Sequence, residues 1–238
     1  MRQALAQVKA VEQVGPFIRV QVAAPGLAHA LTPGRAILAA VPDSYLRRSC
    51  WPCAIDAGSF AILLNPGEAA RYRVNDRIDI LGPVGRGFRL DRQAHNILLV
   101  ASGASDDPDI GPLLALLDQA LAERRSVTLA YAAPSLDAAY PVSELPPAIE
   151  VIRAIAADPI ALLADAVVWA DQVLACGPVD FAARLAERID AIRIRAPRDF
   201  AQALHLTLLP CGAGACGLCA KGTRLACLDG PVFELNAG

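Results

Sequence analysis

The sequence is short of net charge, of long hydrophobic runs and of any secretion signal. Its 238 residues carry a net charge of -2, which gives no reason to expect a nucleic-acid or anionic-membrane partner. No apolar run approaches the roughly 18 residues that a membrane-spanning helix needs. Residues 1–9 lack the apolar core of a signal peptide. Because the chain nevertheless carries seven cysteines, a reducing cytoplasm is the expected compartment.

The first ninety residues have the pattern of β structure. The chain is 55% hydrophobic, enough to bury a substantial core. Strand candidates lie at 8–14, 17–22, 61–64 and 77–81, and turn-forming pairs such as Gly-Pro and Pro-Gly separate them. Short strands with turns at this spacing favour a barrel or a sandwich.

The hydrophobic period changes near residue 95. Residues 95–101 form a continuous apolar run, as in a buried parallel strand. Further strand candidates at 127–131, 149–152, 172–176 and 191–195 alternate with helix candidates at 111–125, 159–170 and 178–189. This alternation indicates a parallel α/β sheet. The sequence therefore predicts a multi-domain chain, with an antiparallel β-barrel (1–93), a Rossmann-like α/β domain (94–200) and a small cluster domain (201–238).

Four of the seven cysteines lie close together near the C-terminus, at Cys211, Cys216, Cys219 and Cys227. Their C-x4-C-x2-C opening, with a fourth cysteine further on, is the spacing of a plant-type 2Fe–2S loop. The glycines and alanines between them let the backbone wrap a bulky cluster and direct N–H groups at its sulfurs. The pattern predicts a 2Fe–2S cluster. A structural zinc ion, which usually shows two separated C-x2-C pairs, and two disulfides remain alternatives.

A second cysteine pair, Cys50 and Cys53, forms a C-x2-C motif with a proline between. A redox-active pair of this type needs a helix N-terminus to lower the pKa of its first thiol. Residues 54–60 instead have the pattern of a turn into a strand. Two interpretations stay open, a redox pair and two thiols that pack as small hydrophobic groups.

The order of these parts resembles a known family. The matching strings are Gly-Pro-Val-Gly-Arg-Gly-Phe at 82–88, Gly-Pro-Leu at 111–113, Cys-Gly-Pro at 176–178, and the cluster loop through Asp-Gly-Pro-Val-Phe at 229–233. The chain resembles the ferredoxin–NADP reductase superfamily, and in particular the electron-transfer subunits of two-subunit dihydroorotate dehydrogenases, which serve pyrimidine biosynthesis. The resemblance implies FAD between barrel and α/β domain, NAD(H) on the α/β domain, and a cluster that passes single electrons to a partner flavoprotein. That partner would be the catalytic dihydroorotate dehydrogenase subunit, in a heterotetramer.

The resemblance also implies site residues. It assigns cofactor binding to Arg48, Ser49, Gly67, Gly82, Gly111 and Pro112, cluster ligation to Cys211, Cys216, Cys219 and Cys227, and a place near the nicotinamide ring to Cys176. Arg48 would pair with the FAD pyrophosphate. The chain departs from the family in three stretches. Trp51 stands where a small hydroxyl residue is expected, Glu68 follows Gly67 where the family has Ser or Thr, and aspartates 106, 107 and 109 replace a glycine-rich phosphate turn.

Two functions are compatible with this pattern. The first is an electron-transfer subunit that relays electrons between NAD(H), FAD, the 2Fe–2S cluster and a partner flavoprotein. The alternative is a non-catalytic carrier or regulatory paralogue that keeps the cluster and has lost flavin, nicotinamide or both.

Overall fold

The first part of the chain is a seven-stranded antiparallel sheet. The structure, a computed structural model, describes residues 1–40, 45–103, 108–193, 197 and 199–235. The strands are β1 (Arg2–Val14), β2 (Phe17–Ala23), β3 (Ala36–Ala39), β4 (Arg48–Cys50), β5 (Pro52–Ile55), β6 (Ser59–Leu64) and β7 (Arg77–Val84). Two one-turn helices, α1 (Pro25–Ala28) and α2 (Pro66–Ala69), follow β2 and β6.

This sheet curls into the expected barrel. Its strand order is β4-β3-β7-β1-β2-β6-β5, so the two edge strands are consecutive in the chain and only Trp51 separates them. The sheet must therefore bend until its edges approach each other. Aliphatic and aromatic side chains such as Ile37, Phe60 and Ile80 fill the interior and are almost fully buried. The predicted antiparallel barrel is confirmed.

The second part is a six-stranded sheet with helices on both faces. Its elements are β8 (Asn96–Ala101), α3 (Gly111–Ala122), β9 (Ser126–Ala133), β10 (Glu150–Ile155), α4 (Ala164–Trp169), β11 (Gln172–Gly177), α5 (Val179–Ile192), β12 (Ala201–His205) and β15 (Val232–Glu234), with 3-10 turns at Val142–Glu144 and Pro159–Leu162. The order is β10-β9-β8-β11-β12-β15, and only β15 runs antiparallel. Helix α3 packs on the barrel side, and α4 and α5 cover the other face. The predicted parallel α/β sheet is confirmed.

Two details of this domain differ from the prediction. The strand expected at 191–195 is wrong in its first half, because Ala191 and Ile192 end helix α5; residues 194 and 195 lie outside the described part. The last parallel strand is β12 instead. The helix expected at 159–170 is divided into a 3-10 turn and the short α4.

The C-terminal segment lies against both larger units. A two-stranded hairpin, β13 (Ala220–Lys221) and β14 (Arg224–Leu225), precedes β15. The backbone N–H of Leu209 donates to Ser49 Oγ of β4 at 2.9 Å, and Arg86 N–H donates to the carbonyl of Gly230. The division at 93/94 and 200/201 stays a prediction, although β12 pairs with the α/β sheet and favours a cluster segment that starts after it. Within the described residues no helix is long and apolar enough to cross a bilayer.

Candidate iron–sulfur and flavin sites

The cysteine loop brings its four thiols to one end of the molecule. Cys219 and Cys227 are buried, Cys211 is half-buried and Cys216 is exposed, and all four are free thiols. The disulfide alternative is therefore not what the structure shows. The loop turns at Gly212, Gly214 and Gly217, which have φ values of 62°, 76° and 72°. Glycine adopts this left-handed region without the steric cost that a Cβ brings.

Backbone amides of the loop point at the ligand sulfurs. The N–H groups of Ala213, Cys216 and Ala215 donate to the Cys211 sulfur, and this donation lowers the pKa of that thiol to about 6. The N–H of Gly214 donates to the Cys227 sulfur. The Cys227 thiol lies in apolar surroundings, and burial raises its pKa to about 11. Amides aimed at sulfur stabilise a thiolate, the form that binds metal.

The four thiols lie as two pairs. The side chains of Cys211 and Cys216 are within hydrogen-bond reach of each other, as are those of Cys219 and Cys227. A hairpin creates the second pair, because β13 and β14 pair Lys221 with Arg224 and Ala226 N–H donates to Cys219 O at 3.0 Å. Gly222, with a φ of 58°, starts the two-residue turn, as turns of types I′ and II′ require.

This donor set fits a 2Fe–2S cluster. Among the described residues no three His, Cys, Asp or Glu side chains converge as a single metal ion would require. Two thiol pairs on one amide-lined loop instead offer two cysteine ligands to each of two irons. The arrangement favours the cluster over the zinc alternative.

The groove where the resemblance places FAD lies between β4, β6, α3 and the segment after β12. Its lining residues are Arg48, Ser49, Cys50, Trp51, Leu63, Leu64, Pro108, Pro112 and Leu206. The cavity among them measures about 20 Å³, room for about one water molecule. Trp51 is 8% exposed, and its indole forms part of the groove wall.

Arg48 is the anchor that the resemblance assigns to the FAD pyrophosphate, and in the structure it forms an ion pair with Glu68 of α2. The two side chains are 23% and 28% exposed, so most of this pair is hidden from water. Glu68 was noted in the sequence as an unfavourable neighbour for an anion. In the structure the Glu68 carboxylate forms an ion pair with the guanidinium group that was expected to bind the pyrophosphate.

The other predicted flavin contacts are distributed differently. Ser49 and Pro112 line the groove. Gly67 sits in α2 with open space beside it, and Gly82 lies in β7 against Ile37. Gly111 begins α3, where an added Cβ would contact Leu63 and Cys53 at 3.5 and 3.8 Å. The close approach at Gly111 therefore serves the packing of α3 on the barrel.

Cys50 and Cys53 face opposite sides of the barrel wall. Cys50 belongs to the barrel interior, whereas Cys53 packs in the cluster between barrel and α3. Burial raises the pKa of the Cys53 thiol to about 12, which keeps it in the unreactive thiol form. The structure therefore favours the interpretation in which both thiols pack as small hydrophobic groups.

The turn after β8, which the family uses for nicotinamide phosphates, is also held by an internal carboxylate. Asp109 accepts from the Ser102 hydroxyl at 2.5 Å and from Gly103 N–H at 2.7 Å. Asp109 is 5% exposed, and together with Gly103 it lines a cavity of about 300 Å³ between the barrel and the α/β sheet; residues 106 and 107 lie outside the described part. Cys176, at the end of β11, is fully buried.

Asp109 should make stability depend on pH. Burial raises its pKa to about 6 in the folded chain, above the roughly 3.9 of an unfolded aspartate. A raised acid pKa means that the folded chain binds more protons, so stability falls as pH rises from about 4 to about 6. Between pH 5 and 7 the free energy of unfolding of the wild type should fall by about 1 kcal/mol. That of Asp109→Asn should not show this fall.

Urea unfolding at both pH values checks this expectation. Asp137→Asn is the control, since Asp137 is exposed and should leave the wild-type loss unchanged. An Asp109→Asn variant with the same pH dependence as wild type would contradict the assignment.

The sequence analysis did not single out Tyr72, which packs in the barrel interior near Arg48. The Tyr72 hydroxyl is buried without a hydrogen-bond partner among the described residues, and it lies within electrostatic range of Arg48 and Cys50. A tyrosine between turn signals gives no hint of this position, which depends on how the segment after α2 packs into the barrel.

Comparisons with known proteins agree with this geometry. A family model described as the iron–sulfur cluster binding domain of dihydroorotate dehydrogenase B matches residues 207–237, which contain all four loop cysteines. The chain is 32% identical over 171 residues to a probable dihydroorotate dehydrogenase B (NAD(+)) electron transfer subunit of Thermococcus kodakarensis, covering 67% of this chain and 66% of that protein. It is 21% identical over 220 residues to the corresponding subunit of Clostridium perfringens, covering 84% of each. The first match thus spans just under two thirds of the relative.

Solved structures show the same fold. An NADH-dependent reduced ferredoxin–NADP oxidoreductase, studied for flavin-based electron bifurcation, superposes with a TM-score of 0.78 at 18% identity over 98% of this chain and 88% of that chain. The Amycolatopsis cytochrome P450 reductase GcoB gives 0.66 at 18% identity over 87% and 70%. The chain therefore has the fold of these reductases and resembles the electron-transfer subunit of dihydroorotate dehydrogenase B, and residues 207–237 match the iron–sulfur cluster binding domain of that enzyme.

Proposed function

We propose that this chain is the electron-transfer subunit of a cytoplasmic dihydroorotate dehydrogenase of the B type, acting in pyrimidine biosynthesis. It relays electrons between NAD(H), FAD and a 2Fe–2S cluster and delivers them to a catalytic flavoprotein subunit, in a heterotetramer. The observation that carries the proposal is the pair of thiol pairs on an amide-lined loop of a reductase fold. Similar proteins are named as such subunits.

The cysteines have separate roles in this proposal. Cys211 and Cys216 would hold one iron, and Cys219 and Cys227 would hold the other. When bound, the cluster supplies one-electron transfer. The amides of the loop stabilise the added negative charge of the reduced state, because their N–H dipoles point at the sulfurs.

The partner approaches over the exposed part of the loop. Cys216 lies at the surface, and Leu218 beside it is 71% exposed. Leu208 and Leu228, on the flanking segments, are 70% and 48% exposed. Exposed leucines around a redox centre offer an apolar surface that a partner can cover, which shortens the path for the electron.

The flavin is proposed for the groove at Arg48. The guanidinium is the right donor for a diphosphate, and the Trp51 indole N–H is buried without a partner among the described residues. These two donors fit an anionic, carbonyl-rich ligand such as FAD, once the groove has opened. The Ser102–Gly103 turn is the corresponding proposal for NAD(H), although Asp109 now accepts its donors.

The visible spectrum of anaerobically purified protein, with iron and sulfide assays, tests the proposal. We expect equal iron and acid-labile sulfide, broad bands that dithionite bleaches, and FAD released into the supernatant on denaturation. The second candidate is a cluster carrier without its own dinucleotide, which the Arg48–Glu68 pair favours. Cluster bands without any flavin, after expression with excess FAD, would identify that carrier. Zinc in place of iron would refute both functions.

A further inference from the structure

The flavin groove carries its own anion. We infer that Glu68 is an internal competitor of FAD, holding Arg48 in the flavin-free chain, so that FAD binds only by displacing the Glu68 carboxylate into water. This inference rests on the proposed function in one respect, the place of FAD at Arg48. It adds a closed and an open state of the groove, and a residue that sets the balance between them.

The ion pair itself is the first support. Arg48 starts β4 and Glu68 lies in α2, so the pair joins two elements that are distant in sequence. Both side chains are about three-quarters hidden from solvent, where the attraction is stronger than at an exposed pair. An incoming diphosphate must compete with this carboxylate for the same guanidinium.

The unsatisfied polar atoms around Arg48 are the second support. The Glu68 Oε2 atom, the Tyr72 hydroxyl and the Trp51 Nε1 atom are buried with no hydrogen-bond partner among the described residues. Tyr72 and Trp51 are 7% and 8% exposed. An unmet buried polar group is unfavourable, so a ligand that supplies the missing hydrogen-bond partners would stabilise an open groove.

The chemistry of these atoms identifies the ligand class and the direction of movement. Arg48 and Trp51 offer donors in the groove, whereas the Tyr72 phenol lies in the barrel interior. A diphosphate supplies acceptors for such donors. It supplies nothing to Glu68 Oε2, which must therefore leave. The way out is short, because Pro66 and Gly67 of the same turn are exposed.

The volume of the groove is the third support. The cavity of about 20 Å³ beside Arg48 and Trp51 cannot admit an isoalloxazine ring. Leu206 and Pro112 close its far side. Flavin entry therefore requires an opening, and release of Glu68 from Arg48 removes the one ionic contact seen between β4 and α2 in the described residues.

Replacement of Glu68 tests the inference on the complete, cluster-loaded chain. We expect Glu68→Thr, which removes the carboxylate and restores a hydroxyl, to bind FAD about tenfold more tightly than wild type. Glu68→Gln, similar in shape but uncharged, should show a gain in the same direction. The readout is the dissociation constant from quenching of FAD fluorescence, with the cluster bands recorded on each sample. Glu144→Gln is the matched control, since Glu144 pairs with Arg19 at 3.7 Å elsewhere on the barrel.

Each outcome is decisive. Tighter FAD binding by both Glu68 variants, unchanged binding by Glu144→Gln and loss of binding in Arg48→Met establish the competition. Equal or weaker binding by Glu68→Thr overturns it, and so does a complete lack of FAD binding in every variant. In that last case the proposed FAD-dependent relay fails as well, and intact cluster bands identify the carrier. Equal or weaker FAD binding by Glu68→Thr, with FAD still bound by wild type, overturns the competition alone.

Discussion

Replacing Cys219 by serine is expected to abolish the absorption bands that dithionite bleaches and to remove most of the iron and acid-labile sulfide. Cys219 is 4% exposed and lies beside Cys227 in the second thiol pair. A serine hydroxyl is a hard oxygen donor that keeps its proton at neutral pH, whereas iron–sulfur clusters select the soft thiolate. The iron held by this pair would retain one protein ligand.

The apolar surroundings make the loss more complete. Burial raises the pKa of Cys227 to about 11, so this thiol becomes a good ligand only when iron displaces its proton. Cys216→Ser should also remove the bleachable bands, the iron and the sulfide. Its effect on folding should be smaller, because Cys216 is exposed.

The control for this experiment removes a thiol elsewhere. Cys53→Ala deletes a buried cysteine outside the loop and should leave the bands, the iron and the sulfide unchanged. Full cluster content in Cys219→Ser would show that another residue completes the ligand set. Ultraviolet circular dichroism on each variant separates loss of cluster from loss of fold.

Much of the fold follows from hydrophobic period alone, and the misses have a physical reason. The barrel strands β3, β4 and β5 have three or four residues each, too few to show alternation. Helix α5 continues through Ile192 because Phe181, Leu185 and Ile189 repeat every four residues on its buried face. β12, with its run Ala-Gln-Ala-Leu-His, contains weak strand formers. Its burial between β11 and β15, which no local pattern reveals, makes it a strand.

The candidate site also has features that the sequence predicts and features that depend on the tertiary structure. Cysteine spacing predicts the cluster loop, because four ligands on a short loop are a local feature. The partition into thiol pairs depends on the β13–β14 hairpin, which the sequence marks only by Gly222. The carboxylates of Glu68 and Asp109 were visible as departures from a phosphate-binding pattern. That each carboxylate accepts from the donors expected to hold a phosphate is a tertiary fact, since Glu68 reaches across to Arg48.

Gly85→Ala is expected to lower the free energy of unfolding by about 3 kcal/mol or more. Gly85 has a φ of 74°, a conformation that costs an L-residue with a Cβ roughly 1–2 kcal/mol. A methyl group there would also overlap the carbonyl oxygen of Gly230 and lie 2.6 Å from Cδ of Pro231. These are backbone and ring atoms, so the clash cannot be relieved by a side-chain rotation.

Substitutions at two other glycines separate the cost of the positive φ from the cost of the steric clash. Gly222→Ala has the same unfavourable φ, 58°, but nothing within 4 Å of the new methyl group, so it should cost only about 1 kcal/mol. Gly26→Ala has open space and no positive φ, and it should be neutral or slightly stabilising. Urea unfolding followed by tryptophan fluorescence gives all three values.

The Gly85 contact matters for the cluster because it joins the barrel to the chain that follows the last ligand. Arg86 N–H donates to Gly230 O, and Arg86 bridges to Pro231, a few residues beyond Cys227. If Gly85→Ala pushes these segments apart, β15 loses its anchor and Cys227 is held less firmly. The variant should therefore release iron to a chelator faster than Gly222→Ala does, although Gly222 lies inside the loop and Gly85 does not. Equal release rates, or a cost for Gly85→Ala no larger than that for Gly222→Ala, would mean that the barrel does not support the cluster segment through this contact.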